Sequence, residues 1–412
     1  MIDKIIQDIA ETGEDAYSYL PYIFATIFCK KKGVNPAKYE EVLKDYGINL
    51  DFSTPLPPNI KNLLINNDYQ FSENISDIYQ YLISMKKNKN GQYFTPSCLS
   101  KLCYELILQE KQNIHKIYDP TCGAGNMLVN TEAEQYFGQE LNNLTAELCK
   151  MNLILENKNN FNIINGDTLK NPAFLDEKFD VIIGNPPFSL KYDRKQFKDD
   201  VRIPNNDLLP PNSNSDLFFI LHALHILAED GICAMIMFPG VLYRGKTEEK
   251  IREYLINNNY IDTIISTPND LFLNTSINTG IIILKKNKKD KNVLFIDASK
   301  EYKRENKKNK KNKMTEENIK NVIDIYNKRK NIDEKSYLAS YEEIKNNRFT
   351  LTTTNYIQKS DKKEEIDPLE LQKEILKARK RYLKTSMELD ALIEELEGIK
   401  QPKKEDCSIS LF

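Results

Sequence analysis

The sequence lacks the features that mark secreted and membrane proteins. Its seven cysteines are odd in number, and no Cys-x-x-Cys pair occurs among them, which argues against a disulfide framework. No apolar run approaches the roughly 18 residues that a membrane helix requires. Residues 1–8 carry acidic side chains where a secretory signal needs a basic and then an apolar stretch. We therefore expect a cytoplasmic protein, with no membrane partner, whose thiols are reduced and mostly buried.

Charge and nucleophile patterns give little indication of a partner or of covalent catalysis. Lysine and arginine number 58 against 60 acidic residues, so net charge does not announce a nucleic-acid binder, although a basic groove can exist locally. No cysteine or serine stands in an arrangement typical of a nucleophile. No Walker lysine follows the glycines at 123 and 125, which argues against a nucleoside triphosphate. His222 and His225 share one face of a predicted helix without a third ligand, so we interpret them as core residues.

A chain of 412 residues is long for one domain and predicts two or three. Apolar side chains recur at helical spacing in residues 17–28 and 75–85. The predicted domains are a helical N-terminal domain (residues 1–88), a middle domain of alternating strands and helices (89–357), and a linker with a C-terminal helix (358–412).

The middle domain predicts an α/β fold, because short apolar runs alternate with helical stretches. We predict a doubly wound, Rossmann-like sheet of mostly parallel strands. The predicted strands cover residues 136–140, 161–164, 179–183, 232–238, 261–265 and 277–284. We expect the sheet to end near Leu284, which leaves a basic loop, a helix and short irregular stretches in residues 285–360.

The segment Asn-Pro-Pro-Phe at residues 185–188 follows an apolar run of the kind that forms a buried strand. It stands at the expected carboxyl end of that strand, where open α/β sheets hold their ligands. The two prolines are stiff and offer only carbonyls, Asn185 adds a side-chain acceptor, and Phe188 adds a flat apolar face. Two acceptors beside an aromatic ring suit a planar ring that bears an amino group. The alternative is a rigid Pro-Pro turn after a core strand.

Three further signals stand at predicted strand ends. The turn at residues 119–125 has glycines that allow close backbone approach. Glu140 comes about 20 residues after this turn. In dinucleotide-binding folds, the acid that binds a ribose hydroxyl stands at a similar distance from the glycines. Asp167 follows the third predicted strand and can accept from an adenine amino group. A nicotinamide cofactor would fit these signals but would not explain residues 185–188.

Two loops leave alternatives open. Residues 91–96, Gly-Gln-Tyr-Phe-Thr-Pro, form either an ordinary loop and helix cap or a cover over a ligand. Residues 303–313 are strongly basic and form either a solvated loop, which is favoured, or a contact with DNA phosphates. Tyr192 is a further candidate for closing a pocket.

The C-terminal region predicts a long helix that begins at Asp367-Pro368, a cap followed by proline at the first helical position. Its apolar residues alternate spacings of four and three over about four heptads, as in a coiled coil. They are Leu371, Ile375, Ala378, Tyr382, Thr385, Leu389, Leu392, Leu396 and Ile399. The stripe packs either on its own chain or on a partner helix.

In these motifs and in their order, the chain resembles the gamma-class amino-methyltransferases that methylate adenine in DNA. It is most similar in style to the modification (M) subunit of type I restriction–modification systems. The resemblance spans roughly residues 75–357 and rests on residues 91–96, 119–125, 138–140, 152–155, 185–188 and 293–298. The N-terminal helical domain is shorter than is usual in that family.

The resemblance implies S-adenosylmethionine as cofactor, with no metal required, and double-stranded DNA with a flipped adenine as substrate. It also implies a specificity subunit as partner, with a second copy of the chain and a restriction (nuclease) subunit as further candidates. The implied catalytic residues are Asn185, Pro186, Pro187 and Phe188. The implied cofactor-binding residues are Gln92, Tyr93, Phe94, Thr95, Pro96, Asp119, Thr121, Gly123, Ala124, Gly125, Asn126, Glu140 and Asp167.

Two other functions remain open at this point. The same motif serves methyltransferases that act on a protein glutamine or on an RNA adenine. A non-catalytic assembly subunit is the alternative from another class, although the presence of Glu140, Asp167 and Asn185 argues against it.

Overall fold

The computed structural model describes residues 2–67, 74–85, 95–272, 277–304, 311–357 and 368–397. The chain divides into two compact units, residues 1–359 and residues 360–412. The first unit contains the N-terminal helices and a large mixed sheet, and the second contains one long helix. The domain boundaries at residues 88 and 357 stay predictions.

The helices are α1 (Ile2–Ala10), α2 (Leu20–Lys31), α3 (Tyr39–Asp45), α4 (Pro58–Asn66), α5 (Ile75–Met85), α6 (Ser97–Leu108), α7 (Asn126–Val129), α8 (Asn143–Leu155), α9 (Asp216–Ile226), α10 (Thr247–Asn257), α11 (Glu316–Lys328), α12 (Tyr341–Asn346) and α13 (Pro368–Glu397). The strands are β1 (Lys116–Asp119), β2 (Gln135–Glu140), β3 (Phe161–Asn165), β4 (Phe179–Gly184), β5 (Leu227–Met237), β6 (Ile261–Ser266), β7 (Gly280–Lys285), β8 (Val293–Asp297), β9 (Lys303–Arg304), β10 (Asn312–Lys313) and β11 (Ser336–Ala339). None of the described helices is long and apolar enough to cross a membrane.

The described strands form a main sheet in the order β11-β8-β6-β7-β5-β4-β1-β2-β3, with β9 and β10 in a separate hairpin. Strands β3, β2, β1, β4 and β5 run parallel, and β6 runs parallel to β8. Strand β7 lies antiparallel between β5 and β6, and β11 lies antiparallel to β8. The predicted α/β, Rossmann-like sheet of mostly parallel strands is therefore confirmed.

The prediction that the sheet ends near Leu284 is wrong. Both β8 and β11 follow that residue and extend the sheet beyond β6. β8 is only five residues long and β11 only four, so neither is as long as the central strands β4 and β5. In the structure Phe295 of β8 is fully buried, and its ring stacks on Tyr356 with centroids 4.0 Å apart. This contact ties residues 285–357 to the sheet.

The central strands are apolar because helices cover both faces of the sheet. In β4, Val181 and Ile183 belong to the core on one face, and Ile182 belongs to the core on the other face. Successive strand residues point to opposite faces, so a continuous apolar run is what a strand covered on both sides requires.

The parallel strands bring their carboxyl ends to one edge. β1 pairs with β2 on one side and with β4 on the other. The chain therefore proceeds outward through β2 and β3 in one direction and through β4 and β5 in the other. A crevice is expected outside the strand ends where the order reverses, which is between β1 and β4.

The N-terminal helices pack directly on the α/β part through α8. Leu148, Met151 and Ile154 of α8 share one apolar core with α1 to α5. Glu147 of α8 accepts a hydrogen bond from the backbone N–H of Asn49 at 2.8 Å. The helices are thus part of the same compact unit as the sheet.

The second unit contains α13, whose first residue is Pro368, as predicted. Ile375, Tyr382, Leu389 and Leu392 of the predicted stripe are all more than half exposed, at 57%, 72%, 57% and 55%. The predicted stripe residue Ile399 lies outside the described residues.

Candidate active site

A cavity of about 470 Å³ opens at the carboxyl edge of the sheet. Its wall contains most of the site residues predicted from the sequence, and they come from five separate segments. They are Thr95, Asp119, Thr121, Gly123, Ala124, Asn126, Glu140, Asp167, Asn185, Pro186 and Pro187. The fold therefore brings together residues that lie far apart in the chain.

Three other predicted site residues that the structure describes do not line this cavity. Pro96 immediately precedes α6, Gly125 immediately precedes α7, and Phe188 packs among other aromatic rings. Gln92, Tyr93 and Phe94 lie outside the described residues.

The turn between β1 and α7 requires glycine at two positions. Gly123 and Gly125 have φ of +52° and +88°, in the left-handed region that side chains disfavour. A Cβ at Gly125 would also lie 2.8 Å from the sulfur of Cys149. The turn therefore packs tightly on α8, and Gly123 presents bare backbone to the cavity.

Glu140 is held in place by backbone amides. Its Oε2 accepts from the N–H of Gly123 at 3.0 Å, and its Oε1 accepts from the N–H of Asn142 at 2.8 Å. Burial raises the pKa of the Glu140 carboxyl, while these amides lower it. The carboxylate is thus fixed at the end of β2, beside the glycine turn.

Asp119 is the most deeply buried acid of the cavity, with 2% of its surface exposed. Its Oδ1 accepts from the N–H of Thr121 at 2.9 Å. Burial, opposed by the Thr121 amide and assisted by the nearby charge of Glu140, raises the pKa of Asp119 to about 8. Asp119 is therefore mostly protonated at pH 7, and a cation bound beside it would favour the carboxylate.

Asp167 follows β3 and is oriented by the chain that comes after it. Its Oδ1 accepts from the N–H groups of Leu169 and Lys170 at 2.9 and 3.1 Å. The side chain remains 30% exposed. This leaves a partly accessible carboxylate in the cavity wall.

Thr95 connects three of the predicted segments. The side-chain nitrogen of Asn185 donates to Thr95 Oγ1 at 3.0 Å. The backbone carbonyl of Thr95 accepts from the side-chain nitrogen of Asn126. Because the nitrogen end of the Asn185 amide is directed to Thr95, the orientation of its oxygen end is also fixed.

Phe188 is supported by two aromatic rings that the sequence analysis did not assign to the site. Its ring centroid lies 6.3 Å from that of Phe238 and 6.3 Å from that of Phe272, with interplanar angles of 42° and 76°. The guanidinium of Arg244 lies over Phe238, 5.4 Å from its centroid. These contacts fix the orientation of the Phe188 ring, which lies three residues after Asn185 in the chain.

A buried acid anchors the chain immediately after Phe188. Ser189 has φ of +53°, and its N–H donates to Asp216 Oδ1 at 2.7 Å. Asp216 is 1% exposed at the start of α9, and burial raises its pKa to about 6. Arg244 Nη1 lies 3.8 Å from Asp216 Oδ2. Sequence reasoning missed Asp216 because it begins a helix whose other residues are mostly apolar. Its position as an acid in the first turn was the available signal.

The cavity wall also includes residues from the N-terminal helices. Ser76 and Gln80 of α5 line it, as does Leu141, which is 68% exposed. Sequence reasoning predicted the helix at residues 75–85 but did not assign it to the site, because its apolar spacing indicates only a packed helix.

Neither Tyr192 nor His222, both considered in the sequence analysis, takes part in the cavity. Tyr192 donates to the carbonyl of Pro210 at 2.7 Å and packs on Phe197, so it does not close the cavity. His222 is fully buried, as expected of a core residue, and burial lowers its pKa to about 3. Within the described ranges, no group of three or more His, Cys, Asp or Glu is placed to hold a metal ion.

Sequence comparison gives a family and close relatives. Residues 71–365 match the family described as N-6 DNA methylase. The chain is 37% identical over 320 residues to the type I restriction enzyme MpnII methylase subunit of Mycoplasma pneumoniae, covering 71% of this chain and 58% of that protein. It is 32% identical over 363 residues to the MjaVII methylase subunit of Methanocaldococcus jannaschii, covering 81% and 62%. The chain thus spans about three fifths of the length of these relatives.

Structure comparison agrees. The methyltransferase subunit of a type I restriction-modification system from Streptococcus thermophilus superposes with a TM-score of 0.63 at 34% identity, covering 73% of this chain and 67% of that chain. The resemblance drawn from the sequence motifs and the expected fold are both confirmed by these matches.

Proposed function

Because this chain belongs to the N-6 DNA methylase family, we propose that it transfers a methyl group from S-adenosylmethionine to the 6-amino group of adenine in DNA. The position of Asn185 carries the proposal. Asn185 immediately follows strand β4, which borders the crevice, and lines one cavity with Glu140 and Asp167. The ring of Phe188, three residues later, is held in place by other aromatic rings. An amino-bearing planar base would meet two acceptors and a flat face there.

The cavity suits S-adenosylmethionine in size and in polar groups. Its volume of about 470 Å³ lies within the range of roughly 300–1,000 Å³ that small-molecule sites occupy. Thr121 Oγ1 is buried without a hydrogen-bond partner among the described residues, so a ligand would satisfy it. We assign Glu140 to the ribose hydroxyls and Asp167 to the amino group of the cofactor's adenine.

The residues of this chain would act on the target base by positioning it. When bound, S-adenosylmethionine supplies a methyl group on a sulfonium sulfur. The amino nitrogen of adenine is a poor nucleophile because its lone pair is delocalised into the ring. The Asn185 side-chain oxygen and the Pro186 carbonyl accept hydrogen bonds from the two N–H groups of this amino nitrogen. These bonds localise its lone pair toward the methyl group. Phe188 stacks on the base after it has flipped out of the duplex.

Transfer to a protein glutamine or an RNA adenine would use a similar arrangement, and a non-catalytic subunit would need none of it. The discriminating experiment supplies radiolabelled S-adenosylmethionine with duplex DNA, RNA or protein to the complex purified from its native cell. Label in DNA adenine is the expected result. Label confined to RNA or protein, or cofactor binding without any transfer, contradicts the proposal.

We further propose that the chain is the modification subunit of a complex with a separate specificity subunit. Its relatives are named type I restriction enzyme methylase subunits. Residues 285–357 extend the catalytic sheet through β8 and β11, so the described part of the chain contains no separate domain for reading a DNA sequence. A second copy of the chain and a restriction subunit are further proposed partners.

The basic segment at residues 303–313 supports a role in binding DNA. Residues 305–310 lie outside the described ranges. The flanking strands β9 and β10 pair antiparallel, and Lys303, Arg304 and Lys313 are exposed there, whereas Asn312 is buried. Lys311 donates to the backbone carbonyl of Phe272, whose ring packs on Phe188. We therefore assign β9 to contacts with DNA phosphates beside the flipped base.

Replacing Glu140 by alanine is expected to weaken S-adenosylmethionine binding by about tenfold or more, the usual scale for a hydrogen bond to a charged group. Calorimetry measures the dissociation constant. Glu253→Ala, which removes an exposed acid from α10, is the matched control. An unchanged dissociation constant in Glu140→Ala would remove Glu140 from the site.

Affinity for S-adenosylmethionine is expected to rise with pH up to about pH 8. In the ligand-free chain the pKa of Asp119 is raised to about 8 by burial, so below this pH the carboxyl is protonated. A ligand with sulfonium and ammonium charges favours the carboxylate, so binding releases a proton and the dissociation constant falls by up to about tenfold per pH unit.

Calorimetry in buffers of different ionisation enthalpy measures that proton release. Asp119→Asn removes the titrating group and should flatten the pH dependence. Wild-type binding without proton release at pH 7 contradicts the prediction.

A further inference from the structure

Helix α5 of the N-terminal region forms one wall of the proposed cofactor cavity. Ser76 and Gln80 lie one helical turn apart and both line it. The position of α5 is fixed by Asn152 of α8, whose side-chain nitrogen donates to Ser76 Oγ at 2.9 Å and to the Ala124 carbonyl at 3.2 Å. The same asparagine therefore holds both α5 and the glycine turn.

The two polar residues of this wall differ in their hydrogen bonding. Ser76 is satisfied within the protein, because its hydroxyl donates to Asn74 and accepts from Asn152. Gln80 is 9% exposed and lines the cavity, and its side chain has no hydrogen-bond partner among the described residues. Its amide atoms are not fully enclosed by protein. They are therefore open to a ligand in the cavity, which can bond to them without displacing a protein partner.

The neighbouring residue locates Gln80 along the cavity. Tyr79 lies close enough to Glu140 for the carboxylate charge to contribute, after burial, to raising the Tyr79 pKa to about 12. α5 thus lies near the end of β2, where Glu140 is fixed beside the glycine turn. In the proposed function this is the ribose end of the cofactor.

We propose that Gln80 is a cofactor-binding residue whose side-chain amide hydrogen-bonds the ribose of S-adenosylmethionine, in addition to Glu140. This inference rests on the proposed function for the identity of the ligand. Its consequence is that the N-terminal helices complete the cofactor site, since one of its polar contacts comes from α5.

The test is Gln80→Leu in the full chain, which keeps the side-chain volume similar and removes the amide. The probes are S-adenosylhomocysteine and 5′-methylthioadenosine, which share the nucleoside, whereas only the first has the amino-acid group. We expect both dissociation constants to rise by about fivefold to tenfold. The unfolding temperature of the ligand-free variant should be unchanged, because the replaced amide makes no hydrogen bond within the described part of the protein.

Gln7→Leu, on the exposed surface of α1, is the matched control and should bind both probes as the wild type does. Gln80→Asn, which retains an amide that is one methylene shorter, should bind more weakly than wild type and remain folded. Unchanged affinity of Gln80→Leu for both probes overturns the assignment, as does weakened binding of S-adenosylhomocysteine alone. A lowered unfolding temperature without ligand would show a structural role instead. If the wild type binds neither probe, the proposed cofactor is itself wrong.

Discussion

Alanine in place of Asn185 is expected to lower the rate of methyl transfer by about 100-fold or more, by analogy with the loss of one aligned oxyanion-hole donor. The affinity for S-adenosylmethionine should stay within about threefold of wild type, because Asn185 is assigned to the target amine. The Thr95 hydrogen bond holds the nitrogen end of the Asn185 amide, so the oxygen end is oriented before the base arrives. Single-turnover methylation separates the chemical step from cofactor binding.

Two companion variants separate the acceptor from its orientation. Thr95→Val removes the hydroxyl that receives the Asn185 nitrogen but leaves the Asn185 oxygen, so we expect a smaller loss of about tenfold. Asn160→Ala is the control. It changes an exposed asparagine whose side-chain nitrogen donates to the Glu134 carbonyl, and the variant should methylate as the wild type does. Wild-type turnover in Asn185→Ala would remove Asn185 from the catalytic role.

The residues at strand ends were predictable because their positions follow from chain direction alone. Asp119, Glu140, Asp167 and Asn185 each stand at or just after the end of a parallel strand. Parallel strands place all such ends at one edge. An apolar run followed by a polar residue is therefore enough to predict that these side chains share a cavity, without knowledge of the packing between the strands.

Residues that reach the site through packing were not predictable in the same way. Gln80 lines the cavity only because α5 packs on α8, and Asp216 matters only because Ser189 turns its N–H toward it. Neither relation leaves a periodic pattern in the sequence. The aromatic partners Phe238 and Phe272 likewise come from segments after β5 and β6 that become neighbours through the strand order.

The same distinction explains the error at the end of the sheet. The apolar run of β8, Val-Leu-Phe-Ile, is only four residues long, and β11 has no continuous apolar run. The pairing of β8 with β6 and β11 makes both segments part of the sheet. For β11, tertiary contacts outweigh local pattern. The described part of residues 285–357 therefore extends the sheet and forms no separate recognition domain.

The second large effect that we expect is the loss of sequence-specific methylation when the chain is purified without its proposed specificity subunit. Reading several base pairs typically requires about 1,000 Å² or more of protein surface, and the described part of the chain is occupied by the sheet, its covering helices and α13. We therefore expect the purified chain to bind S-adenosylmethionine yet methylate DNA poorly and without sequence preference. Adding the proposed specificity subunit should restore site-specific methylation, measured by mapping methyladenine in a plasmid.

Helix α13 is the proposed docking element for that subunit. Four residues of its stripe are more than half exposed at heptad-like spacing, namely Ile375, Tyr382, Leu389 and Leu392. Such a stripe is stable when a partner helix buries it. Deleting residues 366–412 should leave the fold and the affinity for S-adenosylmethionine intact, because the first compact unit ends at residue 359. The deletion should abolish complex formation in size-exclusion chromatography, and with it site-specific methylation.

A double substitution tests the stripe without removing the helix. Leu389→Glu with Leu392→Glu places charge on the apolar stripe and should weaken the complex by about 100-fold or more, as hot-spot losses at interfaces do. The control is Lys384→Glu with Glu388→Lys, which reverses an exposed ion pair on the same helix and should leave assembly unchanged. Site-specific methylation by the purified chain alone, or by the chain that lacks residues 366–412, would show that recognition resides in this chain and that α13 is not its docking element.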